Sequence, residues 1–213
     1  HNGRRRQRQM CIRDSMKESD SVLGMFQTPF FLGDIDYEYE IPKDEKFVDG
    51  HNRKGVVNSN VLDLDLPELE EKILECCANL VEQIGFVKQP MKINQLWLNV
   101  YDETRSALPV HWHQNCSWAG TFFPENAGHT TYYVNPNAGY QNMYFPEIKH
   151  PSDFNQDYTP FTNMPKGKVI IHPSWIGHSV VWHGHEPSYS ISFDIAYTGS
   201  IGSKEYGSYN DGT

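Results

Sequence analysis

Three histidines carry the chemistry this sequence can do. His111-Trp112-His113 sets two imidazoles two residues apart. On a strand both point to one face, the spacing that lets one strand offer two ligands to one metal ion. The plain alternative is a pair of half-exposed polar residues around a core tryptophan. His178 closes Pro173-Ser174-Trp175-Ile176-Gly177-His178, just after the apolar run Val169-Ile170-Ile171. A third ligand from a distant strand would let a barrel close over the ion. The last strand-like stretch adds a polar row, in which Ser188, Ser190, Ser192 and Asp194 alternate with Tyr189, Ile191, Phe193, Ile195 and Tyr197. If the apolar face packs on helix or sheet, the serines line a polar cavity; otherwise they face water, as in any half-exposed strand. Trp175 and Trp182 are expected in the core.

Holding these residues in place takes a β-rich body. Period-two alternation runs through Leu96, Leu98 and Val100, against Gln95, Trp97, Asn99 and Tyr101. Further strands are expected at Ser117–Phe123, Thr130–Val134, Lys168–His172 and Ser188–Tyr197, separated by Pro, Gly and Asn turns. A short strand is expected between Gly24 and Asp36, and a polar loop from Asp44 to Asn60. One helix interrupts the pattern. Leu66, Leu69, Ile73, Cys77, Leu80 and Ile84 repeat at three- and four-residue steps. Asp65 is placed to cap it, Glu68 to complete a capping box, and Gly85 to stop it. Glu70, Glu71 and Glu75 then form its solvated side. Many short strands with one helix predict a sandwich or jelly roll, mainly β with a supporting helix.

Composition narrows the partners. The 213 residues are 38% hydrophobic and 21% charged, a globular balance, with 13% aromatics and 10 histidines. The longest apolar runs are too short to span a membrane. The 18 basic and 27 acidic residues give a net charge of −9. Five of the bases (Arg4, Arg5, Arg6, Arg8, Arg13) and one acid (Asp14) fall in the first fifteen residues, so the rest holds 13 bases against 26 acids, a net of −13. A body that acidic is a poor nucleic-acid binder. The stretch 1–15 lacks the apolar segment of a signal peptide. It is expected to be a non-native or disordered tail, with a native start near Met16; the competing reading is a basic arm for an anionic partner. The Gly/Ser/Tyr-rich stretch 199–213 is expected to be a flexible tail, leaving a single domain at 16–198. The 4 cysteines form no C-x-x-C and no disulfide framework, which points to reduced thiols in the cytoplasm.

In order along the chain come the H-x-H pair, Ser117-x-x-Gly120-Thr121, Gly167-Lys-Val-Ile-Ile-x-Pro-Ser-Trp-x-x-His178, and Ser190-x-Ser192-Phe193-Asp194. Together these resemble the 2-oxoglutarate/Fe(II)-dependent oxygenase family, a prolyl-hydroxylase-like branch of the double-stranded β-helix enzymes. Phe26-Gln27-Thr28-Pro29 and Trp97-x-Asn99 fit the N-terminal half, so the resemblance runs from Met25 to Ile195. It implies a double-stranded β-helix, Fe(II) as the metal, and 2-oxoglutarate as co-substrate with oxygen. It carries His111 and His178 over as ligands, and His113 stands where the family's carboxylate ligand usually does. Asn115, completing an H-x-N arrangement with His113, and Asp102 are the other ligand candidates.

The resemblance also implies an arginine about ten residues after the distal histidine, gripping the far carboxylate of 2-oxoglutarate by two prongs. Ser188 stands there, and no arginine follows Arg105. Lys168 is then the first candidate for the missing cation, ahead of Arg105 and a protonated His183 or His185. Ser188, Ser190 and Tyr101 add hydrogen bonds. The expected function is a non-haem Fe(II), 2-oxoglutarate-dependent oxygenase acting on a small-molecule or peptide substrate. Two other readings stay open. One is a cupin-like three-histidine dioxygenase that uses no 2-oxoglutarate. The other is a metal-free jelly-roll binding module whose surface Trp and Tyr form the binding face.

Overall fold

The computed structural model describes residues 27–42, 48–49, 60–139, 156–184 and 186–199. The expected tails at 1–15 and beyond Gly199 lie outside these residues, as do Met25, Phe26 and His185. In chain order the elements are β1 (Phe31–Asp34), β2 (Val48–Asp49), β3 (Asn60–Asp63), α1 (Pro67–Gln83), β4 (Met91–Tyr101), β5 (Ala107–His111), β6 (Trp118–Phe122), β7 (His129–Val134), β8 (Tyr158–Phe161), β9 (Lys168–Pro173), β10 (His178–Trp182) and β11 (Ser188–Tyr197).

The strands form a seven-stranded sheet, β1-β9-β6-β11-β4-β3-β2, and a four-stranded sheet, β5-β10-β7-β8. Every pairing is antiparallel. From β4 onward the chain crosses repeatedly between the sheets: β4, β6, β9 and β11 belong to the large one, β5, β7, β8 and β10 to the small one. That winding is the double-stranded β-helix, so the expected mainly-β jelly roll is the observed fold.

Alternation along β11 organises the interior. Ile191, Phe193 and Ile195 are fully buried against α1, with Tyr189 and Tyr197 packed at the margin. The helix answers with Leu69, Ile73, Cys77, Leu80 and Val81. Each large side chain so buried contributes about 1.5–3 kcal/mol relative to exposure. With that face covered, Ser188, Ser190 and Asp194 turn between the sheets and are buried too. The serine row therefore lines the barrel interior and does not face water. Gly120, in β6, is required by this packing: a Cβ there would overlap the Ile170 carbonyl and the Phe193 ring.

The short strand expected between Gly24 and Asp36 is β1, at Phe31–Asp34. Two local expectations change. The helix starts at Pro67 without the Asp65 cap: the N-cap is Leu66, which makes no side-chain capping bond. Proline at the first helical position supplies the fixed φ and has no N–H to satisfy, and it forces Leu66 into an extended conformation. At the other end Gly85 adopts φ +90°, and the Phe86 N–H donates to the Val81 carbonyl, closing the helix as expected. Trp175 is 58% exposed and Trp112 60% exposed, so neither is a core residue, whereas Trp182 packs beside Tyr101, Leu108 and Val180.

Candidate active site

Pairing of β5 with β10 sets His111 directly opposite His178. Just beyond this pair the register slips, so that Val180 faces Leu108. The extra residue falls at Pro109-Val110, where proline has no ladder donor to lose. The Pro109 carbonyl then accepts from His111 Nδ1 at 2.9 Å. His113 lies past the end of β5, and its backbone N–H donates to the Ser174 carbonyl in the turn after β9. These contacts bring three rings together: centroids lie 4.3 Å apart for His111–His178, 5.2 Å for His113–His178 and 5.5 Å for His111–His113. One ring nitrogen from each lies within 4.8 Å of the others.

The other nitrogens are occupied. His178 Nδ1 donates to the Ile176 carbonyl at 3.3 Å, and His113 Nδ1 meets Asp194 Oδ1 at 2.5 Å. With every Nδ1 turned to an oxygen, every Nε2 is left to converge, the arrangement a metal needs of neutral imidazole ligands. Burial holds His178 well below the usual histidine range, with the neighbouring His111 adding to the effect, and it lowers His111 as well. Unprotonated rings are ligands; protonated ones are not.

Two residues that sequence reasoning did not single out as site residues complete this end. Asp194 supplies the carboxylate that the H-x-H pair lacks, one step out from the ligand position. It was visible as the single charged member of the serine row. His172, fully buried in β9, sits with its ring centroid 5.1 Å from His178 and 6.5 Å from His113. Its Nδ1 donates to the Pro173 carbonyl, and desolvation pushes it down to about 3.

The polar row continues away from the histidines. Asn99, opposite Ser190 on β4, donates to Ser192 Oγ at 2.9 Å and accepts from Trp97 Nε1 at 3.0 Å. Tyr101, opposite Ser188, hydrogen-bonds Ser190 through its buried hydroxyl. Ser188 Oγ accepts from the Gly128 N–H at 2.8 Å and meets His129 Nδ1 at 2.7 Å. His129 is fully buried beside Tyr101 and Phe123, with ring centroids at 4.7 and 5.8 Å. The strand expected at Thr130–Val134 started one residue late, and so passed over it.

The remaining candidates fall elsewhere. Lys168 opens β9, four positions before His172, and its Nζ lies 2.6 Å from Asp34 on β1. The structure thus ties its charge to Asp34 rather than to the histidine cluster. Asn115 is exposed in a left-handed turn at φ 61°, and Asp102 accepts from the Thr104 N–H and hydroxyl in a turn of its own. His183 Nε2 pairs with Thr130 Oγ1 at 2.6 Å.

Comparison with known proteins agrees with this geometry. Residues 95–194 match the sequence family of 2OG-Fe(II) oxygenases. Residues 95–194 are a 2OG-Fe(II) oxygenase domain. The match begins on β4 and ends at Asp194, enclosing all three clustered histidines and the whole serine row. Similar solved structures include the α-ketoglutarate-dependent epimerase SnoN from nogalamycin biosynthesis, at 12% identity, TM-score 0.48, over 75% of this chain and 70% of that one. A prolyl-4-hydroxylase from Pseudomonas putida is similar at 9% identity, TM-score 0.45, over 69% and 76%. No curated protein matches the chain in sequence. Among the described residues, no helix is long and apolar enough to cross a membrane.

Proposed function

We propose that the chain is a non-haem Fe(II), 2-oxoglutarate-dependent hydroxylase whose iron is held by His111, His113 and His178. The observation that carries this reading is the convergence of three imidazoles whose Nδ1 atoms are already engaged. The donor set fits the ion: three neutral nitrogens, with the Asp194 carboxylate behind one of them to offset its charge. Iron held there supplies the oxygen chemistry, in which 2-oxoglutarate leaves as succinate and carbon dioxide and a substrate C–H becomes C–OH. The chain's own part is positioning. The bulge at Pro109 aims His111, the Ser174 carbonyl holds the His113 backbone, and Asp194 fixes the His113 tautomer. The buried row Ser188, Ser190 and Tyr101 offers hydroxyls to the co-substrate.

The substrate is a small molecule or peptide reaching the histidines past the exposed Trp112 and Trp175, each one chain neighbour or a short turn from a ligand. The domain is taken as 16–198. The free thiols Cys76, Cys77 and Cys116 accord with a cytoplasmic location. A second reading, the cupin-like dioxygenase without 2-oxoglutarate, is favoured by one fact: among the described residues, the buried polar side chains include no lysine or arginine. Anaerobic loading with Fe(II), followed by oxygen and 2-oxoglutarate, separates the two. Succinate release at one equivalent of bound iron supports the hydroxylase; oxygen consumption without succinate favours the second reading; no bound iron ends both.

A further inference from the structure

The polar row on β11 belongs to a lane of buried polar side chains between the sheets that starts at the histidine cluster. Asp194 touches His113, Ser192 and Ser190 follow with Asn99, and Ser188 ends the row beside Tyr101. The facing wall is β7. Tyr133 contacts His178 and His172, and Thr131 and His129 continue the same buried face away from them. On the reading above, a ligand with a chelating 2-oxo acid head at the histidines would run its tail between these two walls. In 2-oxoglutarate that tail ends in a second carboxylate. Burying a carboxylate without a cation is strongly unfavourable.

No fixed cation stands ready in the described interior. Lys166 and Lys168 are paired with Glu38 and Asp34 near the surface. Asp194, the one buried carboxylate among the described residues, belongs to the histidine end. At the far end the group able to become cationic is an imidazole. We propose that His129 is the anchor for the far carboxylate, with Ser188, Tyr101 and Ser190, and that it takes up a proton as 2-oxoglutarate enters. This rests on the 2-oxoglutarate-dependent reading above.

The contact with Ser188 makes the change feasible without rebuilding the site. A hydroxyl can donate to a bare Nδ1 or accept from a protonated one, so the 2.7 Å contact serves both states. Four elements pack on the ring. Tyr101 comes from β4, Phe123 follows β6, Ser188 comes from β11, and His183, bonded to the neighbouring Thr130, follows β10. Among these described groups none is a carboxylate; His183 adds a like charge when protonated. Burial, with His183 second, lowers His129 to about 4, so it is neutral at pH 7 while the lane holds no anion. An entering carboxylate reverses that balance by Coulomb attraction in a desolvated site.

Calorimetric titration of the full chain, loaded with Fe(II) under anaerobic conditions, tests this. The titrant is 2-oxoglutarate at pH 7, in two buffers of different ionisation enthalpy. Wild type should take up about one proton per ligand, and its affinity should fall about tenfold per pH unit on going from pH 6 to pH 8. Pyruvate, which keeps the 2-oxo acid head and lacks the far carboxylate, should bind without that uptake. His129→Gln should retain iron, lose the proton uptake and bind 2-oxoglutarate at least about tenfold more weakly, as expected for loss of a charged contact. His129→Arg should recover affinity with no uptake. Tight 2-oxoglutarate binding by wild type without proton uptake overturns the proposal, as does equal uptake with pyruvate or unchanged uptake in His129→Gln. Iron-loaded wild type that binds no 2-oxoglutarate at any pH rejects the parent reading and this inference with it, whereas failure confined to the proton count rejects the inference alone.

Discussion

The two ends of the barrel interior both bury histidines, and they treat them differently. At one end His111, His172 and His178 donate from Nδ1 to backbone carbonyls, and His113 Nδ1 faces a carboxylate. Carbonyls and carboxylates only accept, so each ring is locked with Nε2 bare. At the other end His129 Nδ1 meets a hydroxyl, which accepts or donates, so its protonation is left to respond to what arrives. On the proposed reading the first end suits a cation and the second an anion, and the same residue type becomes a ligand or a charge sensor through one contact on its second nitrogen.

Removing a locked ring should have the largest effect. His178→Ala is expected to abolish stoichiometric Fe(II) binding, since it deletes one of three donors and the one facing His111 across the sheet. Metal analysis after anaerobic loading reads it directly; full iron content in this variant would remove His178 from the ligand set. Asp194→Asn should do less. It keeps the shape but loses the charge behind His113, and outer partners of this kind typically change metal affinity about 10- to 100-fold. Competition with a calibrated chelator measures the shift. An unchanged affinity would mean that Asp194 serves only the packing of β11.

Acid should distinguish the two ends in the metal-free protein. Burial lowers His129 to about 4 and His172 to about 3, below the 6.5 of an unfolded histidine. Above pH 6.5 neither state holds the proton, and stability does not depend on it. As pH falls from 6.5 toward 4, the unfolded chain takes up protons that the folded one refuses, and each group costs up to about 1.4 kcal/mol per pH unit. The melting temperature should therefore drop between pH 7 and pH 5. His129→Gln should make that drop shallower with or without metal. Adding Fe(II) should raise the melting temperature more at pH 7 than at pH 5, because protons compete for the locked rings. A pH-independent melting curve would contradict the buried, neutral state of both ends.

Much of this division was legible in the sequence, and the illegible part has a common cause. Alternation in β11 separates Ile191 and Phe193 from Ser190 and Asp194 by local pattern alone, and H-x-H needs only the two-residue period of a strand. The alternation does not say which face is interior; that follows from α1 covering the apolar one. Asp194 joins His113 only through the way β4, β6 and β11 pair, a contact between residues 81 apart in the chain. His172 alternates with Ile171, which packs on the helix side, so its inward direction is fixed by β9 lying between β1 and β6. β8, with Pro160 inside four residues, and β10, opening on the distal histidine, are too short for periodicity to declare them. Pairing distance, rather than composition, is what the linear pattern withholds.

The smallest expected effect is at Lys168, and it bears on which end of the interior holds the cation for a dicarboxylate. By sequence Lys168 is the candidate, since it lies on the strand leading to His178 and the expected arginine is replaced by Ser188. In the fold its ammonium is 2.6 Å from Asp34, directly across the β1–β9 ladder, and Asp34 is largely exposed. A partly exposed pair of this kind contributes about 0–1 kcal/mol to stability. Moving the ammonium to an interior ligand would break that pair and desolvate the charge. Lys168→Ala should therefore lower the melting temperature only slightly and change 2-oxoglutarate affinity less than about threefold, below 1 kcal/mol. Titration beside His129→Gln makes the comparison internal: a loss of tenfold or more in Lys168→Ala, with His129→Gln unaffected, would move the anchor from the buried imidazole to the β9 lysine.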